Sequence, residues 1–90
     1  MTEIVKRACA GTLESSDTFV EIESAEGLEL DVQSAVLAQF GDAIRATVTD
    51  VLRTFGVENA RVRVVDQGAL DCVIRARVET AIRRGTEGRI

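Results

Sequence analysis

Thr18-Phe19-Val20-Glu21-Ile22-Glu23-Ser24-Ala25-Glu26-Gly27-Leu28-Glu29-Leu30-Asp31-Val32 holds the clearest strand signal in this chain. Thr18, Val20 and Ile22 fall on one face of an extended segment, and Glu21 and Glu23 on the other. Leu28, Leu30 and Val32 alternate with Glu29 and Asp31 in the same way, and Ser24 to Gly27 reads as a turn between the two runs. The expectation is a half-buried antiparallel hairpin with one apolar and one acidic face.

Toward the N-terminus, Glu14-Ser15-Ser16-Asp17 reads as a second hairpin tip. A looser strand from Ile4 to Leu13 precedes it, weakened by its alanines and by Gly11. Toward the C-terminus, Ser34 suits a helix N-cap. Leu37, Phe40, Ile44, Val48, Val51, Leu52 and Phe55 then recur every three or four residues, one apolar stripe on a helix from about 35 to 55. Such a helix is roughly 30 Å long at 1.5 Å per residue. Gly56 is its natural terminator. Gly41 inside it costs about 1 kcal/mol relative to alanine, which calls for close packing as the compensating reason. Arg61 to Asp66 returns to strand alternation, with Val62 and Val64 inward, and Gln67-Gly68 turns the chain. Leu70, Ile74, Val78, Ala81 and Ile82 form a second helical stripe, supported by Asp71–Arg75 and Glu79–Arg83 four residues apart. The fold class that follows is α+β: a mainly antiparallel sheet of about four strands with two amphipathic helices packed on one face, in the order β-β-β-α-β-α.

Ninety residues suit one domain, taken as 1–90, with little margin of stability. The hydrophobic fraction of 46% and mean hydropathy of +0.09 suit a folded globule. No apolar run approaches the ~20 residues of a membrane span, and no signal peptide is evident, so the cytoplasm is the expected compartment. Residues 1–31 carry eight acidic against two basic side chains, and the remainder seven against nine, for a net charge of -4. An acidic chain with three Phe and neither Trp nor Tyr lacks both the phosphate-neutralising patch and the stacking platform of a nucleic-acid binder. Cys9 and Cys72 have no metal-ligand spacing and are expected as reduced, partly buried small hydrophobes. With no histidine, Ser–His and Cys–His pairs cannot form within the chain, and no carboxylate pattern of the EF-hand type appears.

Three loops could carry chemistry. Ser24 to Gly27 and Asp66-Gln67-Gly68 offer no reactive group, whereas Glu14-Ser15-Ser16-Asp17 offers two hydroxyls. Ser and Asp are also ordinary turn formers, because their side chains bond nearby backbone. Exposed carboxylates are too weakly basic to activate a hydroxyl efficiently, and flanking acids repel a free phosphate. The remaining role is that of an acceptor hydroxyl, modified by an enzyme that supplies its own base.

Ala10-Gly11-Thr12-Leu13-Glu14-Ser15-Ser16-Asp17 resembles the N-terminal signature of the acyl carrier subunit (gamma chain) of citrate lyase. Gln39-Phe40-Gly41-Asp42-Ala43-Ile44-Arg45 and Gly68-Ala69-Leu70-Asp71-Cys72-Val73-Ile74-Arg75-Ala76-Arg77-Val78-Glu79 agree in order and spacing, so the resemblance runs from about Ala8 to Arg84. It implies a non-catalytic carrier whose serine, here Ser15, holds a phosphoribosyl-dephospho-coenzyme A arm (2'-(5''-phosphoribosyl)-3'-dephospho-CoA) through a phosphodiester. Some relatives have glycine at the next position, so Ser16 is not the expected anchor. Gln67 stands where lysine is frequent, and the tail after Arg84 is short; these departures bear on partner contacts.

The resemblance further implies partners: an alpha-chain acyl transferase that exchanges acetyl for citryl on the arm, a beta-chain lyase that releases oxaloacetate, with magnesium usually at that step, and a prosthetic-group transferase. Citrate and citramalate are not distinguished. The signature differs from the Asp-Ser-Leu motif of fatty-acid carriers, which opens a helix in an all-helical bundle, so the likeness to those carriers is of role and not of fold. Glu14 and Asp17 are expected to keep the loop solvated and to repel the arm's phosphates. Arg75, Arg77, Arg83 and Arg84 are expected either as a solvated helix face or as contacts to partner subunits. Two other classes stay open at this point: a small ligand-sensing or oligomerisation module with no covalent group, and, with least support, an independent enzyme.

Overall fold

Apolar–charged alternation gives four strands close to where the sequence places them: β1 (Ala8–Gly11), β2 (Thr18–Ser24), β3 (Leu28–Ser34) and β4 (Ala60–Asp66). The two apolar stripes give helices α1 (Leu37–Thr54) and α2 (Asp71–Gly85). The computed structural model describes residues 2–34 and 37–88. The expected helix start near 35 therefore lies outside the described residues, as does the side chain of Leu37. Ser34 itself closes β3 and donates its hydroxyl to Asp66 Oδ2 at 3.0 Å.

The element order and the α+β class are as expected, but the central pairing is not. The sheet order is β1-β2-β4-β3, with β1–β2 and β2–β4 antiparallel and β3–β4 parallel, so the sheet is mixed. No hairpin joins β2 to β3, because β4 lies between them. Neighbouring strands sit about 4.8 Å apart, so the link Ala25–Gly27 has roughly 10 Å to cross, within reach of its three residues.

Charge explains the insertion. A direct hairpin through that link would set Glu23 opposite Glu29 and Glu21 opposite Asp31, and like charges directly opposite are destabilising. The register found places Arg61 between Glu23 and Glu29, and Arg63 between Glu21 and Asp31. Arg61 bonds both neighbours, Nη1 to Glu23 at 2.8 Å and Nε to Glu29 at 2.7 Å, and Arg63 lies 3.8 Å from Glu21. Two acid–acid rows become acid–arginine–acid rows.

The opposite face of the sheet is the core. Val20, Ile22, Val62 and Val64 are fully buried there against Val48, Leu52, Val78, Ala81 and Ile82. Helix α2 lies over β1 and β2, and α1 lies over β3 and against α2. Helix α1 ends in a Schellman arrangement, with Gly56 N–H on Arg53 O at 3.0 Å and Val57 N–H on Leu52 O at 2.9 Å. The first strand is shorter than expected: only Ala8–Gly11 pairs, while Ile4 reaches the core and Leu13 is exposed. Two stripe residues also leave the core. Phe40, in the first turn of α1, is 52% exposed and Leu70, just ahead of α2, is 72% exposed. Cys9 and Cys72, expected partly buried, are free and exposed.

Candidate functional site

The loop between β1 and β2 is a hairpin tip, and its backbone is fixed almost residue by residue. Asp17 N–H bonds Glu14 O at 3.1 Å, closing a four-residue turn with Ser15 and Ser16 in the middle. Among the loop's non-glycine residues φ is positive only at Ser16, at 66°, which is the mark of a type II turn and a position that favours glycine. A glycine at this position would adopt the same backbone without strain. Ser16 N–H bonds Gln67 O at 2.8 Å, and Gln67 N–H bonds Asp17 O at 2.9 Å. The turn after β4 therefore buttresses the tip.

Asp17 closes the loop's base. Its Oδ1 accepts from Thr18 N–H at 2.7 Å and Arg77 Nε at 3.0 Å. Its Oδ2 accepts from the Thr12 hydroxyl at 2.7 Å and Arg77 Nη2 at 3.0 Å. The Arg77 guanidinium, followed by Thr12 and the Thr18 amide, holds this carboxyl down to about 2. Thr12 Oγ1 in turn accepts Glu14 N–H at 3.2 Å. Gly11, at φ 90°, is required here: a Cβ would lie 1.8 Å from Thr18 O and 3.2 Å from Arg77 Cδ. Its missing side chain is the passage through which Arg77 reaches the loop.

Ser15 and Ser16 are both exposed, and neither hydroxyl has a hydrogen-bond partner among the described residues. Among the described residues nothing competes for the Ser15 hydroxyl, and none places a base to activate it. That environment suits an acceptor presented to another enzyme, and it fits a covalently attached group. The expectation that both acids keep the loop solvated is corrected for Asp17. It is half-buried and its charge is engaged by Arg77, which leaves Glu14 as the free-standing acid.

The arginines of α2 are engaged within the chain as well. Arg75 bonds Asp71 and Asp50, Arg83 bonds Glu79 and stacks over Phe55 at 5.4 Å, and Arg84 bonds Cys9 O. The structure brings two of the three loops together, the serine tip and Asp66-Gln67-Gly68, and sends Ser24–Gly27 to the other end of the sheet. Asp66 is the part of this assembly that sequence reasoning missed. It is 1% exposed and accepts from Ser34 Oγ and from the amides of Gly68 and Ala69, which fixes the buttress turn. A carboxylate closing the inward face that Ala60, Val62 and Val64 otherwise make apolar, followed by Gln-Gly, was the available signal. Beside this turn a shallow groove of roughly 390 Å³ is lined by Phe40, Ile44, Thr47, Ala69, Leu70 and Ile74.

Fold and loop together define a small α+β scaffold that presents two exposed serine hydroxyls, Ser15 and Ser16, at a braced hairpin tip. The chain belongs to the acyl carrier (ACP) family described as "Malonate decarboxylase delta subunit (MdcD)", whose profile matches residues 5–85. It is 52% identical over 85 residues to the citrate lyase acyl carrier protein of Treponema denticola, covering 94% of this chain and 98% of that protein. It is 53% identical to the citrate lyase acyl carrier protein of Serratia proteamaculans, covering 94% and 85% of the two chains. A chain in the crystal structure of a Pseudomonas malonate decarboxylase hetero-tetramer in complex with malonate superimposes with a TM-score of 0.76 at 24% identity, covering 92% of this chain and 87% of that one. That likeness shows the fold. The acyl carrier role rests on the family and on these relatives.

Proposed function

We propose that this chain acts as a single domain, the acyl carrier subunit of a citrate lyase complex, and that Ser15 is the anchor of its phosphoribosyl-dephospho-CoA arm. The observation that carries the reading is the Ser15 hydroxyl: exposed, without a hydrogen-bond partner among the described residues, and held at the tip of a braced turn. Identity of about half the residues with citrate lyase acyl carrier proteins supports citrate as the substrate of the complex.

During attachment the Ser15 oxygen forms a bond to the phosphorus of a phosphoanhydride donor. The donor's phosphoanhydride P–O bond breaks, the rest of the anhydride leaves as an inorganic phosphate-type anion with the electron pair of that bond, and the serine proton goes to a base of the attaching transferase. Once bound, the arm supplies a thiol that holds acetyl or citryl as a thioester within reach of the alpha and beta subunits. This chain's own residues bind and present. Asp17 and the Gln67 backbone fix the turn, Ser15 carries the linkage, and Glu14 keeps the flank charged and wet. The chain performs no reaction of its own, and choice between citrate and an analogue lies in the partner subunits. No described helix is long and apolar enough to cross a membrane, in keeping with a cytoplasmic complex.

The test is intact mass of protein co-expressed with the prosthetic-group enzymes, wild type against Ser15→Ala and Ser16→Ala. The expected result is a large adduct on wild type and Ser16→Ala and none on Ser15→Ala. An adduct that persists in Ser15→Ala overturns the assignment.

A further inference from the structure

We infer that Arg77 is a positioning residue for the acceptor serine, acting through Asp17 to hold the β1–β2 loop in the shape that the attaching enzyme reads. This rests on the proposal that Ser15 is the anchor, and it adds a determinant 62 residues further along the chain.

The geometry is that of a clasp. Arg77 projects from α2, passes the open side of Gly11 and meets both oxygens of Asp17 with two parallel N–H donors at 3.0 Å. Planar, bidentate pairing of this kind fixes orientation as well as distance, which a lysine ammonium cannot do. The same carboxylate also takes the Thr12 hydroxyl and the Thr18 amide, so both ends of the loop are tied to one group. Only Leu13, Glu14, Ser15 and Ser16 lie between those ties. Removing the guanidinium leaves Asp17 free to turn outward, and with it the strap across the loop's base. The core does not depend on the clasp, since the buried residues of β2, β4 and α2 form it without Arg77.

Acceptance by an enzyme requires the nucleophilic oxygen to sit at a defined place and angle, and modest misplacement costs large factors in rate. The serine is therefore expected to lose acceptor quality before the domain loses its fold.

The experiment follows the rate of arm attachment by intact mass, with purified prosthetic-group transferase, for wild type, Arg77→Gln, Arg77→Lys, Asp17→Asn and the double variant Asp17→Asn/Arg77→Gln. Melting temperature and amide hydrogen exchange of the unmodified proteins are read alongside. We expect kcat/KM for attachment to fall tenfold or more in Arg77→Gln and Asp17→Asn. The bonded loop amides of Glu14, Ser16 and Asp17 should exchange faster, while those of β2 and β4 are unchanged. The double variant should be no worse than either single one, because the two residues act as one unit. Arg77→Lys, which keeps the charge and stem, should recover most of the melting temperature while attachment remains at least threefold slow. It also serves as the readable variant should Arg77→Gln not fold. Wild-type attachment rates in folded Arg77→Gln or Arg77→Lys overturn the inference, as do losses that multiply in the double variant. Failure of wild type to load at Ser15 would instead remove the anchor assignment itself.

Discussion

At one end of β2 the residues Thr12 to Asp17 join it to β1; at the other, Ala25 to Gly27 lead to β3. Both links are short, acidic and helped by a glycine, yet they are built for different ends. The Ala25–Gly27 link is held by the Gly27 amide on Asn59 Oδ1 and by Ala60 N–H on Gly27 O, each at 2.9 Å, and it does no more than step over β4. The serine tip draws on Asp17, Thr12, Arg77 and the backbone of Gln67. Surface loops that merely connect need little such bracing, whereas a loop that must present one atom to another protein gains from being fixed beforehand.

The sharpest way to break this contrast is at the two glycines. Gly11→Ala forces a Cβ onto the Thr18 carbonyl at a left-handed φ and should cost about 3 kcal/mol or more, read as a lowered denaturation midpoint. Gly27→Ala has the same kind of φ but open space, and should cost only about 1–2 kcal/mol. Equal costs would remove the distinction between the links.

Next in size is Arg61→Glu, which sets a third carboxylate between Glu23 and Glu29 and restores the repulsion that β4 relieves. The melting temperature should drop on the order of 5 °C at low salt and by less at 1 M salt, where screening reaches about 3 Å. A salt-independent drop would contradict the charge argument for the strand order.

The Asp17 clasp gives a smaller effect with a defined pH window. Its folded carboxyl titrates at about 2, below the ordinary value of about 3.9, so its contribution is present above the ordinary value and is lost as pH falls through about 2. Wild type should exceed Asp17→Asn in stability at neutral pH, and the gap should close between roughly pH 4 and 2. A gap that keeps its full neutral-pH size down to pH 2 would show that the carboxylate's charge is not what holds the loop. Smallest of all, Ser16→Gly relieves a left-handed serine and should raise stability by about 0.5 kcal/mol, with arm attachment unchanged.

Element types and order were legible in the sequence because alternation and the 3.6-residue stripe are local, and the serine tip was legible as a hairpin end. Strand order was not, since β2 and β3 face the same residues of each other whether they pair directly or through β4. Only the charges of Arg61 and Arg63 distinguish the two arrangements. The Asp17–Arg77 clasp joins residues 60 apart, invisible to any local period. Phe40 and Leu70 fit their stripes, but both lie at the starts of the helices and are exposed, and periodicity alone does not tell a covered turn from an uncovered one.

The central claim is the identity of one anchor atom, and peptide mapping of natively produced protein tests it most directly. Trypsin should release Ala8–Arg45, which contains both serines, and fragmentation of that peptide assigns the attachment between them. The account predicts the arm on Ser15, with Ser16 bare. An unmodified Ser15 in material that still sustains turnover of its complex would contradict it.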